Sequence, residues 1–332
     1  MLAIVASIFF CVASVCVSQT AATPANEKFE AGIKFIQTGH YSQAEETFKK
    51  LTRENGTDAE SWYYLGVTYV QLKDFKKATI AFETSIKVKP DLAAAHTGLA
   101  YALLRRGKLI QASKEAEQAL AIDPRRVDAN YTLGVIALRV GLTESAIKHA
   151  DKVIEQDPKF GDAYLLKSQA LIGFTGFLTT SDNESKEERT NRFRQAAASL
   201  EKYLQLVPAS PDKEVWQDQL DSLNFYSRNR EAPGGETAHT GKTVTTKVRL
   251  LTKPEPQYTN EARNAQVEGT VVLRAVFASD GVVKHILAVR SLPNGLTEQA
   301  VRAAKKIKFI PATLDNKPVS MYMQLEYNFS LH

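Results

Sequence analysis

Small and apolar residues recur on a fixed 34-residue grid along most of this 332-residue chain. Gly32, Gly66 and Gly134 share one phase of the grid, with Ala100 in the remaining slot. Ala44, Ala78, Ala112 and Ala146 share a second phase, and Pro90, Pro124 and Pro158 a third. A period of this length predicts stacked helix pairs, each burying its apolar face against its neighbours. After Val248 the period changes to two. Met321, Met323, Leu325, Tyr327 and Phe329 alternate with Tyr322, Gln324, Glu326 and Asn328, the pattern of a strand with one face on a core. Upstream of it, Gly269–Phe277 and Val282–Val289 flank the turn Ser279-Asp280-Gly281 and predict a hairpin. Ala300, Val301, Ala304 and Ile307 share one face of a helix opened by Thr297 and ended before Pro311. The expected architecture is an all-α solenoid followed by a small α+β domain.

Trp62-x-x-Leu65-Gly66-x-x-Tyr69, Ala78-x-x-x-Phe82 and Pro90 carry a specific resemblance to the tetratricopeptide repeat. Further copies contain Gly32, Phe35, Tyr41, Ala44 and Phe48; His96, Leu99, Ala112 and Pro124; and Asn130, Leu133, Ala146 and Pro158. About five repeats are expected over 25–226. The fifth is interrupted by a polar insertion near 174–191, and a capping helix follows over 212–226. A linker, 227–247, separates them from the C-terminal domain, 248–332. Its Gly241-Lys242-Thr243 lacks the glycine spacing and strand–helix context of a phosphate loop.

The first residues are apolar from Leu2 to Val17 and shorter than the ~20 residues of a spanning helix. Small residues follow, so 1–22 is expected to be a secretory signal peptide and the chain periplasmic. No Lys or Arg precedes the apolar run, which leaves an uncleaved anchor, and hence membrane association, as the alternative. Cys11 and Cys16 both lie in this segment, and Cys16 is a weak match to a lipidation site; disulfides and thiol chemistry are not expected of a cleaved chain.

Charge adds one fact. The +5 net charge resides entirely in the part from Val244 onward, with the preceding part neutral. That excess is too small to predict nucleic-acid binding, which calls for a clustered basic stripe. The six histidines are scattered without metal-ligand spacing, and no nucleophile or phosphate motif appears. No catalytic, cofactor, metal or small-molecule site is expected, and the chain is read as a non-enzyme.

The C-terminal segment resembles the C-terminal domain of the TonB energy-transducer family. The carriers are Pro256-Gln257-Tyr258, Ala262, Glu268-Gly269-Thr270-Val271, Phe277, Asp280-Gly281, Val283, Ser291 and Phe309-x-Pro311. Thr259 and Ile307 depart from it, where a proline and a tryptophan are common. The resemblance implies three antiparallel strands with two helices that take up a short peptide of outer-membrane receptors by strand addition. An open terminal strand suits that role. The expected edge is Met321, Met323, Gln324, Leu325, Tyr327 and Phe329, with Gln257 and Tyr258 carried over from the family motif.

The repeat register projects Phe29, Ile33, Tyr63, Val67, Tyr101, Leu104, Tyr131, Val135 and Leu138 onto an inner groove edged by Arg105 and Arg139, a lining suited to a peptide. The expected function is an exported adaptor whose repeats bind one protein while the TonB-like domain engages an outer-membrane receptor or another peptide. The alternatives are an energy transducer with an uncleaved anchor, and an assembly scaffold whose C-terminal domain is only structural.

Overall fold

The computed structural model describes residues 24–174, 186–228 and 238–331. The expected signal segment, the middle of the fifth-repeat insertion and the first part of the linker lie outside them. The chain divides into two compact units, 1–136 with 152–158 and 137–151 with 159–332.

The first unit is built from helix pairs: α1 (Pro24–Gln37) with α2 (Tyr41–Glu54), α3 (Ala59–Gln71) with α4 (Phe75–Val88), and α5 (Ala93–Arg105) with α6 (Leu109–Ile122). Helices α7 (Val127–Arg139) and α8 (Thr143–Gln156) contribute to both units. Local chemistry sets the starts: the Asp58 carboxylate accepts from the Glu60 and Ser61 amides at the head of α3, and Asp74 accepts from the Lys77 amide at the head of α4.

The glycine grid has a steric cause. A Cβ added at Gly66 would lie 2.6 Å from the Phe82 ring, and one at Gly98 would lie 2.5 Å from the same ring. Phe82 on α4 is wholly buried and so wedges between the first helix of its own repeat and that of the next. Phe48 stands in the same relation to Gly32. The Ser85 hydroxyl donates to the Ala59 carbonyl at 2.7 Å and pins the two helices of that repeat together. Because α1 also touches α3, and α3 touches α5, the first helices form an inner row.

In the second unit, α9 (Gly161–Phe174), α10 (Lys186–Leu206) and α11 (Lys213–Ser227) precede the sheet. Helix α10 already begins at Lys186, so residues 186–191 of the expected insertion are helical. The sheet contains β2 (Gly269–Phe277), β3 (Val283–Arg290) and β7 (Met321–Phe329) in the order β3-β2-β7, all antiparallel. Two ribbons accompany it, β1 (Arg249–Thr252) with β4 (Lys308–Ile310) and β5 (Ala312–Leu314) with β6 (Lys317–Val319). Helices α12 (Asn260–Asn264) and α13 (Leu296–Ala304) complete it. Thr259 caps α12 by accepting from the Ala262 amide, which accounts for a threonine at that family position. Helix α13 is preceded by Gly295 at φ +81°, and Thr297, expected as its cap, instead bonds the Leu292 backbone from inside the first turn.

One face of this sheet is covered throughout, and the other over β3 and the middle of β2. Val271, Leu273, Phe277, Leu325 and Tyr327 pack with Leu296, Ala300 and Val301 of α13. Val272, Leu287 and Val289 pack on the other side with Leu171, Phe193, Trp216 and Leu223 from α9, α10 and α11. The repeat helices therefore supply the second layer of the C-terminal domain. Nor is all of the expected linker free: the His239 amide bonds the Ser320 carbonyl, and the Thr245 and Thr246 amides bond the Thr313 carbonyl.

Glu298 on α13 has its Oε2 sealed from water without a hydrogen-bond partner among the described residues. Burial raises its pKa from 4.5 to about 7, with Asp212 adding to the rise, and burial raises Asp162 from 3.8 to about 6. Both acids hold protons in the folded chain that the unfolded chain releases. Stability should therefore fall as pH rises from about 4.5 to about 7 and level off above. Urea midpoints at about pH 5 and about pH 8 test this, and Glu298→Gln should flatten the difference.

Candidate functional site

The C-terminal sheet has two outer edges, and the chain treats them differently. Along β3, the side chain of Gln219 on α11 stands in for a neighbouring strand. Its Nε2 donates to the Ile286 carbonyl at 2.6 Å and its Oε1 accepts from the Ala288 amide at 2.9 Å. The Ser222 hydroxyl also donates to Ile286, and the Tyr226 hydroxyl to the His285 carbonyl. A primary amide carries the same donor and acceptor as a peptide group, so a buried glutamine pairs with this edge as a strand residue would. The β3 edge is occupied by α11 from His285 to Ala288.

The β7 edge is closed only at its start. The Tyr322 amide donates outward to the His239 carbonyl at 2.9 Å, which fixes the outward-facing residues as the even-numbered ones. The ladder with β2 runs without a bulge from Gly269↔Phe329 to Phe277↔Met321. Alternation therefore turns the amides of Gln324, Glu326 and Asn328 outward, and none of the three has a partner among the described residues. The Glu326 carbonyl faces the same way and accepts from Lys253 Nζ at 2.7 Å. Lys253 also stands 4.6 Å from the centre of the Tyr327 ring. The free stretch is a short row of donors beside one lysine.

The residues expected at this edge separate into two groups. Met321, Leu325, Tyr327 and Phe329 are buried and Met323 half-buried on the core face, so their side chains hold the strand in place and are not presented outward. Gln324 alone of the expected strand residues presents outward backbone. Glu326 and Asn328 share that role, and the same alternation that marks the core face also marks them. Tyr258 is brought to the end of the strand, its ring meeting that of Phe329 edge-on at 5.7 Å and its hydroxyl donating to the Val267 carbonyl. Gln257 is exposed on the segment leading into α12.

In the first unit, the projected groove residues also divide. Val67, Tyr101 and Leu104 are buried, because the inner helices pack closely enough to enclose them. Phe29, Ile33, Tyr63, Tyr131 and Val135 are half-buried and remain on the surface. Phe29 packs edge-on against Phe48 and Tyr64, and Tyr63 lies between Tyr64 and Phe82. Burial, with the Asp128 carboxylate second, pushes the Tyr63 hydroxyl well above its ordinary pKa of 10.0. Asp128 is held by Arg126 through two contacts of 3.0 and 2.5 Å. Arg105 lies over the Phe75 and Tyr101 rings and donates to the Tyr101 hydroxyl at 3.0 Å, which makes it a packing residue more than a groove edge. In the second unit Leu138 and Arg139 are half-buried.

Among the described residues no group of three or more His, Cys, Asp or Glu could hold a metal ion, and no helix is long and apolar enough to cross a membrane.

The Gram-negative bacterial TonB protein C-terminal family model matches residues 254–331, and tetratricopeptide repeat models match residues 59–92 and 103–172. No curated protein matches the sequence. Among solved structures, PilW, a widely conserved type IV pilus biogenesis factor, is 18% identical, covering 62% of this chain and 89% of its own at a TM-score of 0.51. MamA from Desulfovibrio magneticus RS-1 is 19% identical, covering 58% of this chain and 99% of its own at 0.45. YrrB, a TPR protein with an unusual peptide-binding site, is 18% identical, covering 58% of this chain and 91% of its own at 0.42. At such identities the PilW likeness speaks for the fold alone.

Proposed function

We propose that this chain, which carries tetratricopeptide repeats and a TonB-type C-terminal domain, is an exported adaptor that captures an extended peptide along β7 and a second protein on its repeats. Repeats of this kind engage proteins, and neither family is enzymatic. The observation that carries the reading is the difference between the two sheet edges. Gln219 bonds into the middle of one edge, while the other leaves the Gln324, Glu326 and Asn328 amides turned outward. An added strand satisfies such groups and draws its specificity from alternate side chains. A periplasmic location and an outer-membrane receptor peptide as the ligand follow from the family resemblance and the apolar start of the chain. The groove partner would meet the half-buried aromatic face of Phe29, Tyr63 and Tyr131.

Proline at Gln324 tests the edge. It removes an outward donor and leaves the β2 ladder intact, because the amide of Gln324 faces away from β2. A photo-reactive residue at Asn328 should cross-link a specific receptor segment in cells, and Gln324→Pro should abolish that adduct while the melting temperature changes little. Persistence of the adduct in a folded Gln324→Pro chain would exclude strand addition at β7. N-terminal sequencing of the mature protein decides between a cleaved leader and an anchor.

A further inference from the structure

The ribbon β1–β4 has no part in the reading above, yet its composition is one-sided. Residues 244–254 and 302–314, which contain its two strands, carry seven Lys or Arg and no Asp or Glu. Three of the seven are engaged. Arg302 pairs with Asp212, Lys305 with Asp218, and Lys253 bonds the Glu326 carbonyl. The other four, Lys247, Arg249, Lys306 and Lys308, are exposed and have no ion-pair partner among the described residues.

Apolar side chains stand among these cations. The register sets Arg249 opposite Ile310 and Leu250 opposite Phe309, with a bulge between Leu250 and Thr252 that leaves Leu251 as the extra residue. Phe309 points into the core, so Arg249, Lys308 and Ile310 share the outer face. Leu251 is 57% exposed, Ile310 42% and Leu250 37%. Lys284, on β3 of the same unit, is by contrast paired to Asp280. Here the four cations are unpaired and interleaved with large aliphatic groups.

We infer that the β1–β4 ribbon is a docking surface for an anionic lipid bilayer. Phosphate headgroups would meet Lys247, Arg249, Lys306 and Lys308, and Leu251 with Ile310 would enter the boundary between headgroups and acyl chains. Charge complementarity and shallow apolar insertion reinforce one another in surface binding of this kind. A two-stranded ribbon offers no concave wall to grip a helix or peptide, and its exposed face carries no aromatic ring on which a base could stack.

Flotation of the full chain with vesicles tests this. Vesicles of phosphatidylcholine alone measure attachment through any apolar segment, and vesicles of phosphatidylcholine with phosphatidylglycerol add the charge-dependent part. The chain should float preferentially with the anionic vesicles, and the preference should fade with added salt. Neutralising Arg249 and Lys308 together (Arg249→Gln, Lys308→Gln) should weaken anionic partitioning by about fivefold per cation, with the melting temperature unchanged. Leu251→Ser should weaken binding while keeping its salt dependence. Equal flotation with both vesicle types, or a folded double variant that floats like the parent, would overturn the inference. So would a chain that ignores anionic vesicles and binds polyglutamate, which would make the ribbon a reader of acidic protein segments.

Discussion

Replacing Leu287 by alanine should cost the second unit about 2–5 kcal/mol of folding free energy. Leu287 lies on β3 on the sheet face opposite α13 and is wholly buried against residues of α9, α10 and α11. In a free three-stranded domain that face would meet water, and the same change would stay within about 0.5 kcal/mol. Leu223→Ala on α11 should cost a similar amount from the helical side, since Leu223 is equally buried in the same cluster. Residues in contact do not contribute additively, so the double variant should show a coupling of about 0.5–3 kcal/mol. Urea unfolding followed by Trp216 fluorescence reads all three, because Trp216 is buried in that cluster. Simple additivity, or a C-terminal sheet that melts apart from α11, would refute the shared core.

The second large effect is expected in the repeats. Phe82→Ala empties a wholly buried site bounded by Gly66 and Gly98 and should cost about 3–5 kcal/mol. The complementary change, Gly98→Val, drives new atoms into the Phe82 ring and should destabilise through overpacking by about 1–3 kcal/mol or more. Combining Gly98→Ala with Phe82→Leu should recover part of the loss, because the shorter side chain vacates the space that the methyl needs. Trp62, whose ring nitrogen donates to the Gly56 carbonyl at 3.0 Å, reports on this unit. If Gly98→Val is silent, the Phe82 ring does not set how closely the first helices of the two repeats approach.

The repeats were legible because their constraint is local and recurrent. A ring such as Phe48 or Phe82 demands a small residue sixteen positions earlier, at Gly32 and Gly66, and the repetition prints this into the sequence. The alternation from Met321 to Phe329 was equally plain, since each odd position answers to one core. The union of the sheet with α9, α10 and α11 was harder to see. It left a trace in unbroken apolar runs, Val271-Val272-Leu273 and Ile286-Leu287-Ala288-Val289, which denote strands buried on both faces. That trace says a covering layer exists and not which element supplies it. Gln219 was invisible, because a lone polar residue on a helix reads as a solvent-facing one until its amide is found 2.6 Å from a strand carbonyl. The groove was overestimated for a related reason. Helical spacing assigns Val67, Tyr101 and Leu104 to a face, but how closely neighbouring helices approach decides whether that face stays open.

The glutamine on α11 has a consequence for assembly. A fibril needs a template that can be extended at both ends, each newcomer offering a fresh rim to the next. With one rim occupied from within, two copies meeting through their remaining rims would exhaust what either has to offer, and propagation would halt at a pair. A sheet that keeps one rim open is thereby spared the runaway stacking that an open rim invites.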